Sequence, residues 1–234
     1  MRNDYLVFGG VNTRDFNVGI YGDQLAAAPE RDRSFVSVPG KNGDVELDNG
    51  KYNNITVAYK AYIAKDYETN IRALRNALLS KTGYQRLEDT INPDEFRLGI
   101  ALPFDVKEAG VLRAGEFTLQ FNCKPQRFLK VGEMPIEATT TKAIFNGYSQ
   151  TALPLIRAYG TGTFTISGIT VKINTADVYT DIDCELMEAF KDTMANNCNG
   201  NIELTEFPKL FPGYNQISMV GITKLEIIPR YWML

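Results

Sequence analysis

The feature that most constrains the fold is an alternation of side-chain character over nine positions, Ile55–Ile63. Ile55, Val57, Tyr59, Ala61 and Ile63 occupy every second position of this run. Successive side chains of a β-strand point to opposite faces of the sheet, so all five share one face. The pattern therefore predicts a strand with one face against a hydrophobic core.

Shorter runs of the same kind recur along the chain, and residues typical of turns separate them. Pro39-Gly40, Asn42-Gly43 and Asp48-Asn49-Gly50 predict turns, because these residue types tolerate a positive φ. The further predicted strands are Tyr5–Phe8, Ser34–Val38, Phe96–Leu102, Gly115–Cys123, Thr163–Ile166, Ile169–Ile173 and Ile222–Ile228.

One amphipathic helix interrupts the strands, and we predict it over residues 66–82. Asp66 is its expected N-cap, and Gly83 follows as a stop signal. Ile71, Leu74 and Leu78 recur at helical spacing, which indicates a helix that covers a sheet.

The sequence thus predicts a mainly β protein with two domains. Residues 1–133 form an α+β domain with one covering helix, and residues 134–234 form a β-sandwich. The segment Lys130–Pro135 marks the boundary. One stretch departs from the strand pattern, because Met187, Phe190 and Met194 recur at helical spacing.

The composition argues against an enzyme. The chain has no histidine, which removes the Ser-His-Asp and Cys-His arrangements and the commonest zinc sites. Three cysteines without a CxxC pair indicate neither a disulfide framework nor a metal site. We therefore expect no catalytic residue, no cofactor and no bound metal.

Charge and hydropathy bound the partners. The net charge of −3 gives no basic footprint for general nucleic-acid binding. No apolar run approaches the roughly 18 residues that cross a bilayer, and none at the start resembles a signal peptide. We expect a chain that does not insert into a membrane and is made in a cytoplasm.

Three sets of side chains carry weaker signals. Asp181, Asp183 and Glu185 alternate, which is compatible with a calcium site or, more simply, with a polar strand face. A loose basic cluster could face DNA or only solvent, since acidic residues are interspersed with it. Exposed aromatic residues could stack on sugar or pack in a core. The basic cluster consists of Arg31, Arg33, Lys41 and Lys51, and the aromatic residues are Tyr214 and Trp232.

Several phrases in order along nearly the whole chain resemble the distal tail (Dit) family of long-tailed phages, the baseplate or tail-tip hub proteins. The phrases are Val38–Asp44, Asp48–Ile55, Phe121–Phe128, Ile182–Glu185, Phe207–Leu210 with Pro212–Asn215, and Ile227–Trp232.

The resemblance implies a ring-shaped hub at the tail tip of a virion, from a phage, a prophage or a tail-derived bacteriocin. Six copies of the N-terminal domain would close the ring, with a galectin-like C-terminal sandwich outside it. The implied partners are the tail tube protein, tail-associated or fibre proteins and receptor-binding proteins, with phage DNA as passing cargo. The resemblance also places Ile182–Glu185 in a strand and a following turn, against the helical spacing.

The alternative function is a carbohydrate-binding module that attaches to host cell-wall sugar. The short second domain leaves no obvious room for the insertions that some relatives carry, which favours a compact hub.

The hairpin around Val38 to Ile55 is the candidate contact with the ring or the tube. It is either a protruding arm or an ordinary hairpin packed on its own sheet, and strand addition would be the mechanism of contact. Its candidate residues are Val38, Pro39, Gly40, Lys41, Asn42, Gly43, Asp48, Asn49, Gly50 and Tyr52.

Overall fold

A computed structural model describes residues 4–21, 28–63, 65–109 and 114–234 of the chain. The chain divides into two compact units, Met1–Arg127 with Leu234, and Phe128–Met233. Each unit is built around its own hydrophobic core. Among the described residues, no helix is long and apolar enough to cross a membrane.

The first unit consists of ten strands and one α-helix in the described segments. These elements are β1 (Leu6–Phe8), β2 (Val11–Asn12), β3 (Val18–Tyr21), β4 (Arg31–Ser37), β5 (Asp44–Tyr52), β6 (Ile55–Ile63), α1 (Tyr67–Leu79), β7 (Gln85–Asp89), β8 (Glu95–Ala101), β9 (Val106–Ala109) and β10 (Ala114–Cys123). Seven of the strands form an antiparallel sheet in the order β2-β1-β7-β8-β10-β6-β3, and β9 pairs with β10.

The predicted strand Ile55–Ile63 is confirmed as β6, and it pairs along its whole length with β10. All five residues of its apolar face are buried. The rings of Tyr59 and Phe121 meet edge to face on this surface, with their centroids 5.9 Å apart. The alternating apolar residues of Ile55–Ile63 therefore form part of the core of the first unit.

Helix α1 packs its apolar face on this core through Ile71, Leu74 and Leu78. It is shorter than the predicted 66–82, because it ends at Leu79 with Ser80 as its C-cap. Asp66 holds the N-cap position in a left-handed conformation, but its side chain forms no capping hydrogen bond. Gly83 adopts a positive φ only after the helix has ended.

The second unit is a β-sandwich. The chain enters it through β11 (Arg127–Leu129), and its further strands are β12 (Ile136–Ala138), β13 (Lys142–Asn146), β14 (Leu155–Tyr159), β15 (Gly162–Ile166), β16 (Ile169–Ile173), β17 (Tyr179–Asp183), β18 (Glu188–Lys191), β19 (Thr193–Asn197), β20 (Ile202–Leu204), β21 (Gly213–Val220), β22 (Lys224–Ile228) and β23 (Trp232–Met233). One sheet has the order β12-β22-β14-β17-β18-β19, and the other has the order β13-β21-β15-β16-β20. Ile156, Ile182 and Leu225 of the first sheet share a core with Phe164 and Ile217 of the second. The mainly β prediction is confirmed.

The stretch with helical spacing is not a helix. Ile182 and Asp183 end β17, residues 184–187 form a turn, and the chain returns in β18 and β19. Asp183 holds this turn, because its carboxylate accepts the N–H groups of Glu185 at 3.0 Å and Leu186 at 3.1 Å. The strand and turn that the family resemblance implied are therefore confirmed.

Arg97 is the exception in the first core. Its side chain is buried, and its Nη1 atom has no hydrogen-bond partner among the described residues. Burial lowers the pKa of the guanidinium, because the charged form loses its water. The neighbouring Glu95 carboxylate is bound by Arg127 instead, with Nε donating at 2.8 Å.

We expect Arg97→Met to raise the free energy of unfolding by about 1 kcal/mol, because it removes a buried charge that has no partner. Urea denaturation of the purified protein measures the change. Arg127→Met is the matched control, and we expect it to lower stability because it frees the Glu95 carboxylate. A loss of stability in both variants would contradict this account of Arg97.

A second prediction concerns Asp183, whose two oxygens accept from Arg230 Nη1 and Nη2 at 2.8 Å each. Burial raises the pKa of Asp183, but the Arg230 guanidinium and the Leu186 N–H outweigh it, so the net pKa lies below the ordinary 3.8. A carboxylate with a depressed pKa stabilises the fold above its unfolded pKa. It loses that contribution as the pH falls through its folded value.

We therefore expect Asp183→Asn to cost about 3 kcal/mol at neutral pH, and the difference from the unmodified chain to shrink below pH 3.8. Urea titrations at a series of pH values measure both effects. Glu203→Gln, on an exposed pair with Lys172, is the control and should leave the urea midpoint unchanged. A pH-independent difference would show that Asp183 acts through packing alone.

Candidate assembly surface

The predicted hairpin exists, but it is longer than expected. It spans Arg31–Tyr52 rather than starting at Val38, and its strands β4 and β5 form a two-stranded sheet that pairs with no other described strand. Nearly all of its residues are exposed. We refer to residues 31–52 as the arm.

The tip of the arm contains the first six candidate residues, Val38 to Gly43. The Lys41 N–H donates to the Val38 carbonyl at 3.1 Å, and Gly40 has a φ of 78°. Pro39 followed by a glycine with positive φ is the signature of a type II turn. The predicted Pro39-Gly40 turn is therefore confirmed.

The predicted turn at Asp48-Asn49-Gly50 is wrong. These residues lie inside β5 at a bulge, since Asn49, Gly50 and Lys51 oppose the single Asp32 of β4. Gly50 supplies the positive φ of 71° that the bulge requires. The Asp48 carboxylate fixes the bulge, accepting from Gly50 N at 2.8 Å and from Arg31 Nε at 2.6 Å.

The same contacts shift the pKa values of both charged groups. The Gly50 N–H and the Arg31 guanidinium lower the pKa of Asp48, and the hydrogen bond from Arg31 to Asp48 raises the pKa of Arg31. Tyr52 ends the arm, with its ring centroid 5.5 Å from the Arg31 guanidinium. Asp48, Gly50 and Tyr52 therefore shape the base of the arm, while residues 38–43 form its tip.

The arm exposes apolar side chains on both of its faces, and most of them lie on one face. Residues paired across the ladder share a face, so Val36, Val45 and Leu47 lie on one side with Ser34. Val36 is 45% exposed and Leu47 51% exposed. An isolated hairpin is marginal in water, and exposed apolar patches of this kind mark interaction sites.

The opposite face carries Phe35, which is 63% exposed, together with charges that are neutralised within the arm. Arg33 pairs with Glu46 at 3.1 Å on this face. Lys51 of the arm also pairs with an acid, Asp32, at 3.2 Å. The basic cluster singled out in the sequence is therefore largely cancelled by the arm's own acidic residues. The exception is Lys41 at the tip, for which the described part of the chain provides no ion pair.

The other sequence candidates do not form a reactive site. Asp181 accepts from Arg157 at 2.7 Å and 2.9 Å, and Asp183 is bound by Arg230. Within the described residues, no group of three potential ligands could hold a metal ion. The alternating carboxylates therefore tie neighbouring strands together.

The two aromatic candidates differ in exposure. Trp232 is half-buried, and its Nε1 donates to the Thr151 carbonyl at 2.9 Å. Tyr214 is 77% exposed and packs against Phe145, with ring centroids 4.9 Å apart. Only Tyr214 of the two remains available for a ligand.

Comparison with solved structures identifies the architecture. The Dit protein (gp 19.1) of phage SPP1, described as a paradigm of the hub adsorption apparatus in phages that infect Gram-positive bacteria, matches with a TM-score of 0.71 and 13% identity. The match covers 96% of this chain and 97% of that one. The chain has the fold of a phage distal tail protein.

Two further structures share this distal-tail fold. Chains of the phage P2 baseplate in its activated conformation match at 11% identity, with a TM-score of 0.53 for the structure with Ca and 0.52 for the one with Sr. These matches cover 97% of both chains in the first case and 96% of both in the second. No protein-family model and no curated protein matches the sequence. The resemblance noted in the sequence is thus confirmed through the fold.

Sequence reasoning found the tip of the arm and predicted most of its first strand as Ser34–Val38, against the observed Arg31–Ser37, but it did not recognise the exposed apolar side chains of the arm. The signal was present, because Val36 and Val38 alternate with serine, and Val45 and Leu47 with charged residues. This alternation indicates a shared apolar face only when the pairing of β4 with β5 is known.

Proposed function

We propose that this chain is a structural hub of a phage tail tip, in which copies of the chain close into a ring. The observation that carries the proposal is the full-length match to the SPP1 Dit protein. The ring would have six members and would join the tail tube to the tail-associated, fibre and receptor-binding proteins. Phage DNA would pass through it, and the role would be structural, without turnover.

Residues 1–133 would form the ring, and the sandwich of residues 134–234 would lie outside it. Ring closure requires two different complementary surfaces on each subunit, since the contact is head to tail. The arm supplies one of them, because it presents apolar side chains and the free edges of two strands that no described strand covers. Strand addition by the arm to a neighbouring sheet would bury both.

The carbohydrate-binding alternative has less support. It requires exposed aromatic side chains that can stack on a sugar ring, and Trp232 is engaged by Thr151. Among the described residues of the sandwich, the exposed aromatic side chains are the Phe145–Tyr214 pair and Phe211. The comparisons are to hub and baseplate proteins.

The test of the hub is assembly of the purified chain, by light scattering and negative-stain imaging over a range of concentrations. Closed rings with a central hole are expected, alone or after co-expression with the tail tube protein. A monomer under both conditions would contradict the proposal.

The role of the arm is tested by Val36→Ser combined with Leu47→Ser. Both side chains are exposed in the free chain, so we expect little change in the free energy of unfolding, within about 0.5 kcal/mol. We expect ring formation to be lost, because the apolar face no longer gains from burial. Light scattering measures assembly, and urea denaturation measures stability.

Val220→Ser is the matched control. Val220 is 77% exposed on the sandwich, and its replacement should leave the rings intact. Rings that form equally well with the altered arm would remove the apolar face from the interface.

A further inference from the structure

A groove of about 510 Å³ lies beside β10 in the first unit. It forms where β10 has no paired strand on one side, since β8 pairs with β10 only up to Phe121 and β9 begins to pair at Phe117. The segment between β8 and β9 leaves the sheet there, and it supplies Pro103, Phe104 and Asp105 to the wall. The groove therefore exists because β8 and β9 pair with separate parts of the same strand, β10.

The groove combines apolar surface with two carboxylates. Tyr21 and Pro103 give it exposed apolar surface, whereas Phe104 lines it from within the core at 8% exposure. Asp105 and Glu116 are exposed at its rim, and neither side chain forms an ion pair or a hydrogen bond with a described residue. Among the described residues of the lining, Lys60 is the single cation, so this part of the groove carries a net negative charge.

The tip of the arm has the complementary character. Lys41 is exposed and has no ionic partner among the described residues, whereas Arg31, Arg33 and Lys51 are each paired within the arm. Val38 and Pro39 precede it as apolar groups, and the glycines of the tip keep it narrow. One chain thus presents both an apolar, cationic tip and an apolar, anionic groove.

We propose that the tip of one subunit's arm docks in this groove of the next copy of the chain. Lys41 would lie between Asp105 and Glu116, and Val38 and Pro39 would pack against Tyr21 and Pro103. This inference rests on the proposed ring, because a head-to-tail contact needs two different surfaces that fit each other on one chain. Charge pairs at such an interface set partner choice and register.

The experiment reverses the charges on each side separately. Lys41→Glu alters the tip, and Asp105→Lys combined with Glu116→Lys alters the groove. We expect each protein alone to remain folded, as judged by circular dichroism. We expect each to need about tenfold more protein, or more, for ring formation in light scattering.

An equimolar mixture of the two proteins gives the decisive result. Unaltered tips then meet unaltered grooves, and reversed tips meet reversed grooves, so rings are expected to return. Lys51→Glu is the control, since it makes the same change on the arm away from the tip and should assemble normally.

The possible failures are distinguishable. If the unmodified chain forms rings and Lys41→Glu forms them equally well, the docking site is wrong and the hub stands. If both altered proteins fail and their mixture fails too, the tip and the groove do not meet, and the inference is overturned. If the unmodified chain forms no rings, alone or with the tail tube protein, the proposed function and this inference both fall.

Discussion

The pairing of β6 with β10 is the constraint on which the first unit depends. Nine residue pairs, from Ile55–Cys123 to Ile63–Gly115, fix the register of two long strands. A slip of one residue would turn the whole apolar face of β6 to solvent, so burial of that face holds the register. The other strands add on both sides of this pair, and α1 covers its buried face.

The arm forms its own two-stranded sheet, separate from the sheet that contains β6 and β10. It immediately precedes β6 in the chain but pairs with no strand of the sheet, so its apolar side chains remain exposed. Its internal ion pairs contribute little stability at an exposed site. They nevertheless cancel most of its charge and fix its base through the Asp48 bulge. The arm is therefore shaped before assembly, which reduces the conformational entropy that a contact would cost.

The sequence predicts an element correctly when burial of one face sets its periodicity. It does not predict the structure of a segment whose conformation depends on which strand it pairs with. Ile55–Ile63 was predicted with its observed bounds, because one face of β6 is entirely in the core. Asp48-Asn49-Gly50 suits a turn or a bulge equally well, since both need a positive φ. Only the pairing of Arg33 with Asp48 and of Arg31 with Tyr52 makes it a bulge.

Long-range partners also explain the remaining differences. The helical spacing of Met187, Phe190 and Met194 is overridden by the turn that Asp183 holds and by its ion pair with Arg230, far along the chain. The groove beside β10 has no local signal at all, because it exists only where β8 and β9 leave a gap along one strand.

We propose that the arm, which is exposed in the single chain, is buried in the assembly. Hydrogen–deuterium exchange of backbone amides, compared between the monomer and the assembled ring, tests it most directly. Amides of residues 31–52 that face neither strand partner should exchange fast in the monomer and become protected in the ring, while residues 213–220 of the sandwich stay unchanged. Arm amides that exchange at the same rate in both states would contradict the claim.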